Sequence, residues 1–466
     1  MKQLRIVLAM GIAMAMAVPA LAINVEWHGD FHNRAFYSNR ADLARPVVRD
    51  TQHFISVGGV NNYDQILDGV DTRRSSRDAD FFAEIKYRIN INVFDDENRF
   101  RGVIGFEFGG SKFGDERLKF GGDSRDFLQV MWAYSDLELP FDPASRLRFG
   151  LQPVGYNYLL WSDNAAGAKW IRRAGNWAYS LGWFRDNFTE NNTLGGKNRA
   201  RYSNAYAGDL TYTFDNGNSL NGFVIYLDKN NEDRALRDGG FYAGDVNEAL
   251  IGKPQDQQIW FGLSGRGKWR DFSGLFTGMY LTGELKTGGA LNQKYDRQGY
   301  LFHGEVDYRI DRTTFILGGL YTSGDKNPDD KKLKNFDVID VGTQIFGSVV
   351  IFDSICDDNS FTQAPYLFDK GYAMIYAGVR HDLTDRTWLT GRYLWHNTAQ
   401  DLVTDQGKAS DIGHEFVLGV GHRLMKGLTA ELKAGYLVGG DAWDAMARNG
   451  KGDDVFRTDA NLRFRF

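Results

Sequence analysis

From Asp78 to Phe94 apolar and polar side chains alternate with a period of two. Phe81, Ala83, Ile85, Tyr87, Ile89, Ile91 and Val93 fall on one face, and Glu84, Lys86, Arg88, Asn90 and Asn92 on the other. Successive side chains of a strand point to opposite faces, so this stretch predicts a strand with one apolar and one charged face. The first such strand runs from about Val25 to Tyr37. Val25, Trp27, Phe31 and Tyr37 lie on its uncharged face, and Glu26, His28, Asp30, His32 and Arg34 on the other. The chain ends the same way: Phe456, Ala460, Leu462, Phe464 and Phe466 alternate with Arg457, Asp459, Asn461, Arg463 and Arg465. A strand of a soluble sandwich also alternates, but it rarely carries so many charges on one face. A barrel with lipid outside and water inside explains them, because a charge on the lipid face near the midplane costs about 2–4 kcal/mol.

Short connections separate the strands in pairs, at Asp95–Asn98, Pro140–Pro143, Gly175, Asp215–Gly217, Arg270–Asp271, Asp311–Arg312, Asp382–Asp385 and Met425–Gly427. Between these pairs lie long polar connections: 38–77, 110–125, 154–166, 186–200, 229–256, 287–297, 324–370, 398–410 and 440–452. Strict alternation of short and long predicts an all-β, transmembrane, antiparallel up-and-down β-barrel of 16–18 strands. Its short turns and both termini lie in the periplasm, and its long loops lie outside the cell. Connection 324–370 also carries an apolar stretch, Val338 to Phe352, with three destinations open to it: the barrel rim, the mouth or a neighbouring subunit.

The start of the chain adds the compartment. Lys2 and Arg5, the apolar run Ile6 to Val18 and then Ala20-Leu21-Ala22 form a secretory leader with a small-x-small cleavage site. The expected mature chain is one domain, 23–466. Loss of the two leader cations takes the net charge from −5 to −7. No later apolar run approaches the roughly 20 residues a membrane helix needs. The 54 Gly against 8 Pro suit twisted strands and tight turns, and the single cysteine, Cys356, cannot form an internal disulfide. A mild negative charge spread along the chain gives no reason to expect nucleic-acid binding.

The ending, with Phe466 last, Phe464 two before it and Leu462 two before that, resembles the C-terminal signature of Gram-negative outer-membrane β-barrels of the porin-like class. The resemblance implies an assembly signal at Leu462, Phe464 and Phe466 read by the barrel-assembly machinery. It also implies contact with outer-membrane lipids and lipopolysaccharide, a homotrimer, and passive diffusion of small hydrophilic solutes and ions. In trimeric porins the third long loop folds inward. By that resemblance 154–166 narrows the pore, with Asp163 as its acidic member; the alternative is an ordinary outer loop with an aromatic cluster.

Lys86, Arg88, Arg99, Arg101, Arg146, Arg148, Arg172 and Arg173 recur on neighbouring strands. By resemblance, wall cations opposite an acidic loop orient polar solutes, and a one-signed wall favours anions because a low-dielectric pore focuses the field. The bland alternative is that Arg only solvates a polar lumen, paired with Glu84, Glu107 and similar acids. His28 and His32 share a face but stand about 13 Å apart, too far to share an ion. His303, Glu305 and Asp307 alternate on one face, yet no serine or paired-carboxylate motif accompanies them, so neither enzyme, cofactor nor metal is expected. A monomeric substrate-specific channel of 18 strands is the alternative to the general porin. A barrel sheathing a redox partner and a soluble secreted protein are more distant readings.

Overall fold

The computed structural model describes residues 23–39, 80–112, 128–186, 203–230, 255–287, 292–327, 330–341, 345–353, 365–404, 407–446 and 454–466. The leader, Cys356 and most of the long outer connections lie outside these residues. In chain order the strands are β1 (Ile23–Ser38), β2 (Asp80–Asp95), β3 (Phe100–Lys112), β4 (Leu128–Leu139), β5 (Asp142–Asn157), β6 (Trp161–Ala174), β7 (Trp177–Asp186), β8 (Ser203–Thr213), β9 (Ser219–Asn230) and β10 (Gln255–Trp269). There follow β11 (Phe272–Lys286), β12 (Lys294–Ile310), β13 (Thr313–Thr322), β14 (Lys332–Leu333), β15 (Tyr372–Asp382), β16 (Thr387–Thr404), β17 (Gly407–Met425), β18 (Leu428–Gly439) and β19 (Val455–Arg465).

All but β14 pair antiparallel with their barrel neighbours, and β13 passes directly to β15. The sheet closes because β1 pairs with both β2 and β19, setting Phe31 between Tyr87 and Phe464. Phe466 completes the seam by exchanging two backbone hydrogen bonds with Gly29, at 3.0 and 3.1 Å. Closure leaves no exposed strand edge, so every wall amide can be satisfied within the sheet. The wall therefore has 18 strands, the upper end of the expected range.

The alternation maps onto the two faces as expected. Trp27, Phe81 and Leu418 point outward and are 59%, 71% and 71% exposed, while Glu84, Arg457 and Asp459 of the opposite face are buried inside. The eight short turns are all present, including the Gly175 turn, whose φ of +58° suits glycine.

Two long connections differ from expectation. Residues 154–166 are not a loop: Val154 pairs with Asp163 inside a β5–β6 hairpin that turns at 158–160. Ladder pairing satisfies those amides within the sheet. Likewise 398–410 is mostly hairpin, since β16 and β17 extend through it with register shifts at Asn397.

Candidate functional site

The lumen is narrowed by the connection between β13 and β15, whose described residues, 323–327, 330–341, 345–353 and 365–371, pack against the inner face of the barrel. Its apolar residues Phe336, Val338, Val341, Phe346, Val349 and Phe352 join one buried cluster with wall residues Trp260, Tyr372, Met374, Tyr376 and Leu394. Burying that surface is the driving force for the inward path.

The first part of the connection is fixed to the β10–β12 wall. There β14 pairs parallel with Asp296–Arg297 of β12. The fully buried Arg297 grips Asp256 through two hydrogen bonds of 2.7 and 2.8 Å, and its Nη1 lies 3.5 Å from Asp337 of the connection. Gln258 and the Trp260 indole donate to Asp337 as well, at 2.8 and 2.9 Å. The middle part meets the β5–β6 tip. Both Ile339 and Asp340 donate backbone N–H groups to the Leu160 carbonyl at 3.0 Å, and the Tyr366 hydroxyl donates to the Leu159 carbonyl at 2.7 Å. The tip of that hairpin thus leans into the lumen, where the Tyr158 hydroxyl lies 3.3 Å from His303 Nδ1 of β12.

The segment 345–353 forms a floor clamped at two points. The buried Glu415 of β17 accepts from the Val349 and Val350 amides at 2.7 and 2.9 Å and from the Ser348 hydroxyl at 2.8 Å. His396 holds the same carboxylate from β16, at 3.2 Å. Gly347, at φ +71°, passes so close to Arg392 that a Cβ there would lie 2.9 Å from its Nε. The second clamp is ionic. Arg34 Nη1 sits 3.1 Å from the Asp353 carboxylate, Arg34 Nε 3.0 Å from Asp459, and Arg457 donates to the Asp353 carbonyl at 3.1 Å.

Burial alone would raise the Asp353 carboxyl, but Arg34, a hydrogen bond with Asp459 and Arg457 together outweigh it and hold the group below the ordinary carboxylate range. A depressed folded-state value favours the docked floor above the ordinary value near about 4 and loses that contribution only as pH falls through the lower one. The floor is therefore expected to stay docked from neutral pH down through about 4. Asp353→Asn should show raised conductance already at neutral pH. Single-channel conductance against pH for both proteins measures this.

The other side of the passage is the β2–β8 wall. Arg88 and Lys86 share Glu107, at 2.7 and 3.8 Å. Arg146 and Arg148 share Asp136, at 2.5 and 2.9 Å. Lys169 of β6 lies 4.0 Å from Asp209. The Arg148 guanidinium also covers the Tyr134 ring at 4.7 Å, and Lys169 covers Tyr156 at 4.8 Å. Of the cations singled out in the sequence, Lys86, Arg88 and Arg148 stand in this paired wall, and Arg146 stands at its turn-side edge, where its Nη1 also donates to the Asn98 carbonyl of the β2–β3 turn at 3.0 Å. Arg99 and Arg101 sit instead at the β2–β3 turn, Arg99 beside Glu97 at 2.9 Å and Arg101 bonded to Asn98 at 3.3 Å. Arg172 and Arg173 lie at the periplasmic end of β6, Arg172 paired with Asp142 and Arg173 exposed. Asp163 lies within β6, opposite Val154.

Lys169, Arg297, Asp353 and Glu415 were not singled out by sequence reasoning. One signal pointed to the region: from Tyr372 to Val379 both faces of β15 are uncharged, whereas a water-facing lumen strand should alternate as β2 does. Something apolar had to cover Tyr372, Met374 and Tyr376.

No protein-family model matches the chain, and no curated protein matches it by sequence. By structure it is similar to a BenF-like porin from Pseudomonas fluorescens, with TM-score 0.54 and 8% identity over 95% of this chain and 98% of that one. It is also similar to Pseudomonas aeruginosa OccK2 (OpdF), with TM-score 0.53 and 12% identity over 95% and 98%. A second OccK2 structure, a complex with glucuronate, aligns at TM-score 0.50 and 13% identity over 95% and 96%. At such identities the likeness establishes the fold, that of outer-membrane porin barrels. With its apolar exterior, the chain is an integral outer-membrane β-barrel.

Proposed function

We propose that the chain forms a substrate-specific outer-membrane channel through which small hydrophilic solutes, anions in preference, diffuse down their gradient. The observation that carries this reading is the floor 345–353, clamped to the wall by Glu415 and by Arg34 and Arg457. An 18-stranded barrel with an empty interior would hold a wide aqueous pore, and a floor clamped at two points supports a narrow, selective one. The anion preference rests on the facing wall, where Lys86 and Arg88 share Glu107, Arg146 and Arg148 share Asp136, and Lys169 lies beside Asp209. Glucuronate in the OccK2 complex is consistent with such solutes. The same reading takes a single barrel as the functional unit rather than the homotrimer, and keeps the leader and the Leu462, Phe464 and Phe466 assembly signal as parts of its route to the membrane.

Planar-bilayer recording tests it. Conductance should be small, appear in single steps, and fall saturably with one class of organic anion; large unblocked steps in multiples of three would favour the general trimeric porin. The double variant Arg88→Gln, Arg148→Gln is expected to move the reversal potential under a salt gradient toward cation preference, since each substitution leaves its carboxylate partner less compensated.

A further inference from the structure

A cavity of about 300 Å³ lies beneath the floor on the side of the β17–β18 turn, where Ile23 and Phe466 also lie. Its walls come from the floor at Ser348 and Asp353, from β1 at His32, from β18 at Thr429, Glu431 and Lys433, and from β19 at Asn461, Arg463 and Arg465, so Glu431 offsets Lys433 and the two arginines carry the positive side of the cavity. This is the β18–β19–β1 wall, whereas the paired cations of the proposed passage stand on β2, β5 and β6. The cavity has the size of a small-ligand pocket.

Its charges differ in how far they are committed. Asp353 is almost wholly enclosed and holds the buried Arg34. Arg463 and Arg465 share the single carboxylate of Asp30, the first of them closely and the second at 3.2 Å with its side chain 62% exposed. Lys433 stands 3.5 Å from Glu431 and is itself about a third exposed. Two guanidinium groups on one carboxylate leave donors unused, and planar forked donors match a carboxylate in two-point contact. Around them stand polar groups that can meet hydroxyls: Thr429, His32, and Asn461, which is held in place by His32 Nε2 at 2.7 Å from its Oδ1 and by its own Nδ2 donating to Asp459 at 2.9 Å.

We infer that this cavity is a separate periplasm-side binding site for a small hydroxylated monocarboxylate, its carboxylate held by Arg463 and Arg465 and its hydroxyls by the Thr429–Asn461–His32 side. The site rests on the channel reading for its purpose: a solute that has passed the floor pauses here before release. Entry from the periplasm needs no passage across the floor, so binding and conduction are separable.

Equilibrium binding of D-glucuronate to the full detergent-solubilised chain tests this, with bilayer recording alongside. One saturable site is expected, weakened at least about tenfold in Arg463→Gln, Arg465→Gln by loss of charge-assisted hydrogen bonds. Lys433→Gln, which leaves the Asp30 pairs intact, should weaken it by a smaller factor. Acetate, a carboxylate without hydroxyls, should bind at least about tenfold more weakly than glucuronate if the neutral groups contribute. In recordings, glucuronate added on the periplasmic side should interrupt current more often than the same concentration outside, and the double variant should abolish that asymmetry. Undiminished binding in both variants, equal binding of acetate, or no saturable site would overturn the inference. A chain that conducts and selects anions with any of those results would leave the channel reading standing. A chain that binds glucuronate at Arg463 and Arg465 but opens no channel would remove the channel reading alone.

Discussion

Glu415→Ala is expected to raise single-channel conductance several-fold, because it removes the one carboxylate that receives the Val349 and Val350 amides and the Ser348 hydroxyl. Two backbone N–H groups would then be buried without an acceptor, and each such group costs about 1–3 kcal/mol. The floor can recover that cost by lifting into the water of the lumen, so the penalty appears as opening rather than as loss of the barrel. His396 would keep its bond to the Tyr372 hydroxyl at 2.5 Å and hold β16 in place. Recordings of wild type and variant at equal salt measure the effect; an unchanged conductance would show that the ionic clamp at Asp353 suffices alone. Glu415→Gln should give an intermediate increase, since one amide oxygen still accepts.

Arg297→Met should lower the resistance of the connection to unfolding more than any other single change. Removing one partner of a buried ion pair typically costs about 3–5 kcal/mol, because the remaining charge stays buried without compensation. Here two carboxylates would be stranded, Asp256 and Asp337, with only Gln258 left to bond both, at 2.9 and 2.8 Å. The expected result is release of the segment from β14 to Asp337 while the 18-strand wall persists. Limited proteolysis of folded protein in detergent should cut the variant within residues 330–341 and spare the wild type. Replacing Asp256 and Asp337 by Asn together with Arg297→Met should restore much of the resistance, since no unpaired charge would remain.

Much of the barrel was legible in the sequence because its signal is local. The outward faces of β1, β2 and β19, the turn at Gly175 and the eight short connections each follow from neighbours one or two residues apart. Even the seam, where Phe466 bonds Gly29, is foreshadowed by matched alternation at the two chain ends. The site was legible only in part. Lys86, Arg88, Arg146 and Arg148 stood out because charge on a strand must face water, and alternation says which face that is. Glu107 could be named as a lumen acid from the same alternation, but that it serves Lys86 and Arg88 together, and that Asp136 serves Arg146 and Arg148, depends on the register between strands, which alternation does not specify.

The error over 154–166 has the same origin. Tyr156, Tyr158, Leu159, Leu160 and Trp161 are equally compatible with an apolar loop and with a hairpin tip buried inside the barrel. Only the meeting with Asp340 and Tyr366, far along the chain, decides between them.

What the sequence determined by itself is the barrel: its strands, their two faces, its turns and its membrane. What only the tertiary structure decided is the interior. The path of the described parts of the β13–β15 connection depends on pairs such as Arg34 with Asp353 and Arg297 with Asp337, separated by hundreds or tens of residues and sharing no periodicity. Side-chain alternation reports which face a residue takes. It carries no information about which distant residue will lie against that face once the sheet has closed.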